Sequence, residues 1–310
     1  MANSILTITL NPAVDKSTNV DNIKPEKKLR CDKPKYEPGG GGINVSRGLA
    51  RLGIPSTAMF LSGGRTGALR EELLQTENVH THPITVAAET RENFIVVDTS
   101  HNEQYRFGMP GDEITATESE NILQQIQSIT PAPKIAVISG SLPPRMPATL
   151  LRQIVRDLKE KGTLIVADTS GEALAEILKE GVHLLKPNLG ELSTLTGQEE
   201  LDNDTAEEAA QILVKEGKAD IVVVSLGPQG AYLVSKNEVI HVPAPSVKKR
   251  STVGAGDSMV AGMVSVLQKG GSLTEMARMG VACGSAATMS SGTGLFTKEN
   301  AEKLFNWLNK

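Results

Sequence analysis

Short, almost unbroken apolar runs recur along the chain, separated by longer stretches whose apolar positions fall three and four apart. The runs at 5–10, 57–61, 135–139, 163–167, 183–185 and 221–225 predict strands covered on both faces. Helical patterns lie at 147–161, 171–180 and 205–216. In the last of these, Ala209, Ile212 and Leu213 share one face and acidic residues lead, as suits the positive end of a helix. The final segments 254–269, 273–289 and 298–309 also read as helices. Strand–helix alternation of this kind predicts an α/β fold with a mostly parallel central sheet flanked by helices.

Two regions break the rhythm. Residues 12–37 carry several prolines and short alternating pieces at 16–20 and 30–36. Residues 89–108 read as a hairpin, with strands at 90–98 and 103–107 around a Ser-His-Asn turn. Four short antiparallel strands outside the main sheet predict a small β-sheet flap. The chain is therefore expected to form one domain, 1–310, with a lid built from about 12–37 and 89–108.

Lys and Arg number 32 against 36 Asp and Glu, a net charge of −4. That balance gives no electrostatic reason to expect a nucleic-acid or anionic-membrane partner. No apolar run approaches the roughly 20 residues needed to span a bilayer, and the N-terminus lacks a basic leader region. Cys31 and Cys283 are the two cysteines, too few for a disulfide framework, so a reducing cytoplasmic setting is expected.

Four constellations carry candidate chemistry. Gly39 to Gly42, followed by Ile43 and Asn44, abut a helical pattern. Glycine runs are often flexible linkers, but this one abuts a helical pattern, and glycines that open a helix let backbone donors approach an anion or a polyol, the favoured reading. Gly254, Ala255 and Gly256 precede Asp257 at the start of a long apolar helix, and successive N–H groups there form an anion hole. Asp257 at its edge is placed to accept a proton from a hydroxyl, although Asp also commonly caps helices. Lys186-Pro187-Asn188, with Glu191 three residues on, offers the oxygen ligands that Mg²⁺ takes; read alone, Asn-x-x-Glu is first a capping box. Finally, Ser225, Gly227 and Gly230 follow a buried strand, and Ser139, Ser141 and Asp168 lie at comparable strand ends. In open α/β sheets ligands gather at that edge.

Other patterns carry less. The segment before Gly254 is a basic loop rather than a strand, so the Gly-x-Gly there is no dinucleotide fingerprint. His80 and His82 lack a third metal ligand nearby and read as a surface loop.

Together the glycine tetrad with Asn44, the Gly254–Asp257 motif and the Lys186–Glu191 motif resemble the signatures of ribokinase-like (PfkB) carbohydrate kinases. The chain looks closest to the minor bacterial 6-phosphofructokinase branch. The resemblance implies a ribokinase-like fold and ATP-dependent phosphorylation of fructose 6-phosphate at its 1-hydroxyl. Asp257 would be the general base, with Gly254, Ala255 and Gly256 as anion hole. Asp15, Gly40, Gly41 and Asn44 would hold sugar hydroxyls; Lys28, Arg91 and Arg106 would face the sugar's phosphate; Ser139 and Ser141 would approach the same sugar. Lys186, Asn188, Ser225, Gly227 and Gly230 would line the nucleotide side, with Glu191 and Asn188 holding Mg²⁺ through water. Ser251 and Val253 would offer oxygens to a monovalent cation, K⁺. The lid would interlock with that of a second copy in a homodimer. Arg145 stands where the family often has Gly, and Gly294 where close members carry Arg.

Close alternatives implied by the same resemblance are 1-phosphofructokinase and tagatose-6-phosphate kinase. From other classes, a sugar-phosphate sensor would have no use for Asp257, and a dinucleotide oxidoreductase would bind NADH.

Overall fold

The computed structural model describes residues 5–198 and 201–310. Thirteen strands are described: β1 (Ile5–Thr9), β2 (Ala13–Val20), β3 (Lys35–Gly39), β4 (Thr57–Ser62), β5 (His80–Thr85), β6 (Arg91–Asp98), β7 (Glu103–Phe107), β8 (Ile135–Ser139), β9 (Leu164–Asp168), β10 (Val182–Leu185), β11 (Ala219–Ser225), β12 (Ala231–Ser235) and β13 (Val239–Val242). The helices are α1 (Gly41–Arg51), α2 (Gly64–Gln75), α3 (Ala116–Gln127), α4 (Thr149–Glu160), α5 (Gly171–Leu178), α6 (Leu189–Thr196), α7 (Asn203–Lys215), α8 (Ala255–Leu267), α9 (Leu273–Thr288) and α10 (Lys298–Leu308).

Nine strands form the main sheet in the order β13-β12-β11-β10-β9-β8-β1-β4-β5. It is parallel from β5 to β11, and β12 and β13 add an antiparallel edge. Alternate residues of the inner strands feed opposite cores, which explains the unbroken apolar runs. Val222 and Val224 pack with α3 to α7, whereas Ile221 and Val223 pack with α1, α8, α9 and α10. The inner strands are thus buried on both faces, as expected of a helix-covered parallel sheet, whereas the edge strands β5 and β13 are largely exposed.

The small sheet runs β3-β2-β6-β7. The expectation of four antiparallel strands is corrected here, because β2 and β6 pair in parallel. After β3 the chain leaves to build α1 through β5 and re-enters in the direction of β2, which is the crossover a parallel pair requires. The expected strand at 30–36 is also displaced, to Lys35–Gly39, with only Cys31 bridging to Val20. The 80–82 segment is edge strand β5 rather than a loop, although both histidines are exposed. Cross-strand register places Asp15 opposite both Glu37 and Asn93 on one face of the small sheet. Lys16, Tyr36, Phe94 and Phe107 align on the other face.

Candidate active site

The carboxyl ends of β1, β8, β9, β10 and β11 lie along one edge of the sheet, where open α/β sheets form a crevice, and the starts of α1 and α8 meet there. Gly254 caps α8 with a left-handed φ of 73°, a conformation that glycine adopts without a Cβ penalty. Among the described residues the amides of Gly256 and Asp257 find no main-chain acceptor, while that of Ala255 turns back to the Thr252 carbonyl at 3.4 Å. Two unpaired donors in the first turn of a helix are a ready anion site. Ala255 therefore contributes less to the expected nest than the Asp257 amide does.

On the other wall, α1 begins directly from β3. The Ile43 amide donates to Thr9 Oγ1 at 3.0 Å, leaving those of Gly41 and Gly42 without a partner among the described residues. Two positions show why the run is glycine. Gly40 has φ 121°, and a Cβ on Gly41 would drive into Ser139 Oγ and stand 2.9 Å from the Gly140 amide. The tetrad is thus wedged against the end of β8 rather than serving as a linker.

The two walls are joined by one side-chain bond: Asn44 Nδ2 donates to Asp257 Oδ2 at 2.9 Å. Burial pushes the Asp257 carboxyl up to about 7, and the like charge of Asp168 adds to that. The Asn44 hydrogen bond and Lys186 hold it down, and Asp15 raises it slightly. A carboxyl balanced near neutrality is suited to take a proton and to release it.

Lys186 is buried, with its ammonium 3.0 Å from Asp168 Oδ1. Burial works against its charge, but Asp168, Glu191 and Asp257 outweigh that and raise its pKa. A Cβ on Gly256 would lie 3.5 Å from the ammonium, so Lys186 stands beside the amide nest. Asp15 is buried beneath the small sheet and accepts from Asn93 Nδ2 at 2.9 Å. Burial raises its pKa against the pull of Asn93, Arg47 and Arg91.

Arg91 is anchored by main-chain acceptors, donating to Asn11 O at 2.9 and 3.2 Å and to Met109 O at 2.5 Å. Asn11 Nδ2 in turn bonds Ser141 Oγ at 3.1 Å and the carbonyls of Pro110 and Leu142. Arg106 lies on exposed β7 against Thr252 Oγ1, and the neighbouring Gln104 donates to Ser251 Oγ at 3.2 Å. Among the described residues, no hydrogen bond or ion pair ties the exposed Lys28 to this crevice. Val253 donates its amide to Ser251 Oγ at 3.2 Å.

Asn188 and Glu191 form the capping box of α6, each side chain accepting from the other's amide at 2.9 Å. The box leaves Glu191 Oε1 unengaged among the described residues, an oxygen that a hydrated divalent cation can use. Ser225 donates its amide to Pro187 O at 2.9 Å, which brings the turn with Gly227 and Gly230 alongside that box. Among the described residues no group of three or more His, Cys, Asp or Glu is arranged to hold a metal ion by itself.

Arg145 has a left-handed φ of 59° and pairs with exposed Glu113 at 3.0 Å. A turn of that hand favours glycine, which accounts for the residue expected there. Gly294 lends its carbonyl to Arg51 Nη1 at 2.6 Å, and next to it Thr293 donates twice to buried Glu37. Sequence reasoning missed Asn11, Asn93, Arg47 and Glu37. The one signal for them was a polar Asn-Pro pair directly ending a buried strand at Asn11.

A family model described as "pfkB family carbohydrate kinase" matches residues 4–300. The ATP-dependent 6-phosphofructokinase isozyme 2 of Escherichia coli is 45% identical over 99% of both chains. The 1-phosphofructokinase of Bacillus subtilis is 34% identical over 97% of both. Solved structures of phosphofructokinase-2 from Escherichia coli cover 99% of both chains. The complex with fructose-6-phosphate has a TM-score of 0.93 at 44% identity, and the complex with potassium 0.94 at 45%. A tetrameric inhibited form of the same enzyme has a TM-score of 0.92 at 44% identity.

Proposed function

The chain belongs to the pfkB family of carbohydrate kinases, and on that footing we propose that it transfers the terminal phosphoryl group of ATP to the 1-hydroxyl of fructose 6-phosphate. Phosphoryl transfer asks little covalent chemistry of a protein and much positioning and charge stabilisation. The 2.9 Å bond between Asn44 and Asp257 carries this reading, because it sets a base held near neutrality between a glycine-lined sugar wall and an amide nest.

In this reading Asp257 takes the proton of the attacking hydroxyl as its oxygen bonds the phosphorus of ATP and ADP leaves. The Gly256 and Asp257 amides and the Lys186 ammonium receive the charge on the transferred group. Asp15, Asn44, Gly40 and Gly41 hold the sugar, with Ser139 and Ser141 beside them, and Arg91 meets its phosphate with donors not used on Asn11 and Met109. The Ser225, Gly227 and Gly230 turn lines the nucleotide. Mg²⁺ on water bridged to Glu191 and Asn188 would neutralise charge on the ATP phosphates. K⁺ on the oxygens of Ser251 and Val253 would do likewise near the nest, and the potassium complex of the Escherichia coli relative supports that choice.

The small sheet acts as a lid that keeps water, a competing acceptor, from the phosphoryl group. ADP should therefore form only when a hexose phosphate is present, as read by a coupled assay; equal ADP formation without sugar would contradict this. Because the base must be ionised, kcat/KM should be full above the Asp257 pKa of about 7 and fall roughly tenfold per pH unit below it. A pH–rate profile flat down to pH 5 would contradict the assignment.

The outer face of the lid also supports a homodimer. Tyr36, Tyr105 and Phe107 are exposed there, with Leu29 and Met109 nearby in sequence, an apolar array of the kind that marks a contact surface. The Escherichia coli relative likewise assembles, its inhibited form being a tetramer. Phe107→Asp should convert the protein to monomers in sedimentation. The free thiols Cys31 and Cys283 fit a cytoplasmic setting, and no described helix is long and apolar enough to cross a membrane.

A further inference from the structure

An asparagine side chain presents a donor and an acceptor, and which one faces Asp257 decides what Asn44 does to the base. In this protein the choice is made by residues outside the crevice. Arg47, one turn along α1, is 1% exposed and donates from Nη1 to Asn44 Oδ1 at 3.0 Å. The same nitrogen donates to Pro38 O at 2.9 Å, just before the glycine tetrad. The guanidinium is gripped from behind by Glu77, past the end of α2, through Nε–Oε2 at 2.8 Å and Nη2–Oε1 at 2.7 Å.

We propose that Arg47 and Glu77 are positioning residues for the reaction, holding the Asn44 amide in the one orientation that aims a donor at Asp257. Arginine has five donors and no acceptor. With Arg47 fixed, a flipped Asn44 would set its amine against the guanidinium and its carbonyl against the carboxylate, losing both bonds. Glu77 makes the fork bidentate and so removes the freedom of Arg47 to swing away. The arrangement deepens the reading of Asp257 as the base and rests on it.

The groups facing Asp257 are Asn44 from α1, Lys186 and Asp168 from the ends of β10 and β9, and Asp15 from β2. Those facing Arg47 are Glu77, Glu37 at 3.9 Å, Arg51 and Asp15. Of the groups facing Asp257, Asn44 alone bonds both it and Arg47.

Losing the Asn44 donor removes a bond that favours the ionised base, so the base gains protons at higher pH. Arg47→Met should lower kcat at pH 7 about tenfold and move the acid limb of the profile up by about one pH unit, with KM for ATP within about twofold. Glu77→Gln should move the limb in the same direction by less. In an Asn44→Ala background neither substitution should move it further, because the amide they orient is gone. A merely structural role would reduce the amount of folded enzyme equally at every pH and leave the limb in place. The inference is overturned if folded Glu77→Gln or Arg47→Met enzyme keeps the parent's profile, or if the shift persists without Asn44. Failure of the base reading itself would look different: Asp257→Asn would then turn over like the parent.

Discussion

Asp257→Asn should lower kcat by about 10²–10⁴-fold, the usual worth of a positioned base, while the Kd for fructose 6-phosphate changes little. The substitution is nearly isosteric, and an amide oxygen still accepts from Asn44 Nδ2, so the join between the two walls survives. What disappears is the basic oxygen. It also removes the acid limb near pH 7, because no group of that pKa remains to titrate at this position. Coupled ADP assays for kcat and equilibrium titration of the sugar for Kd separate the two effects. A variant that kept the parent's turnover would show that the proton leaves by another route.

Lys186→Met should cost about 10²–10³-fold in kcat, the range for one donor to developing charge. Its ammonium stands between Asp168 and the amide nest, buried, where a cation acts with little solvent screening. The substitution has a second signature of opposite origin. Lys186 holds the Asp257 carboxyl down, so its loss leaves burial and Asp168 to push that pKa higher. The acid limb should thus move to higher pH, while Asp257→Asn abolishes it. Kinetics across pH distinguish the two roles; a fall in kcat with an unmoved limb would mean that Lys186 does not face the base.

The strands with unbroken apolar runs were legible because burial on both faces leaves no polar alternation, as in Val222 to Val224. The β5 strand was not, since His80, His82 and Pro83 lie exposed at an edge where nothing demands an apolar pattern. Helix α3 hid for a related reason: Ile122 and Ile126 are its two buried apolar residues among Glu, Ser, Asn and Gln. The parallel pairing of β2 with β6 is set by the intervening excursion of the chain, which no local pattern encodes.

At the site, Asp257, Asn44 and Lys186 announced themselves through the glycines and prolines beside them. Their mutual geometry did not, since Asn44 and Asp257 stand 213 residues apart in the chain. Arg47 was the least visible. An arginine within a helix reads as a solvated face, and only the fold reveals that it is buried with Glu77 behind it. Glu191 shows the reverse: its spacing from Asn188 fits a capping box and a water-bridged cation alike, and in the folded chain the box uses one carboxylate oxygen and leaves the other.

The most direct test of the account compares kcat/KM for fructose 6-phosphate, fructose 1-phosphate and tagatose 6-phosphate with ATP in one coupled assay, and identifies the product by phosphorus NMR. Fructose 6-phosphate should give the highest efficiency and yield the 1,6-bisphosphate. Turnover of none of the three, or a clear preference for another, would contradict it.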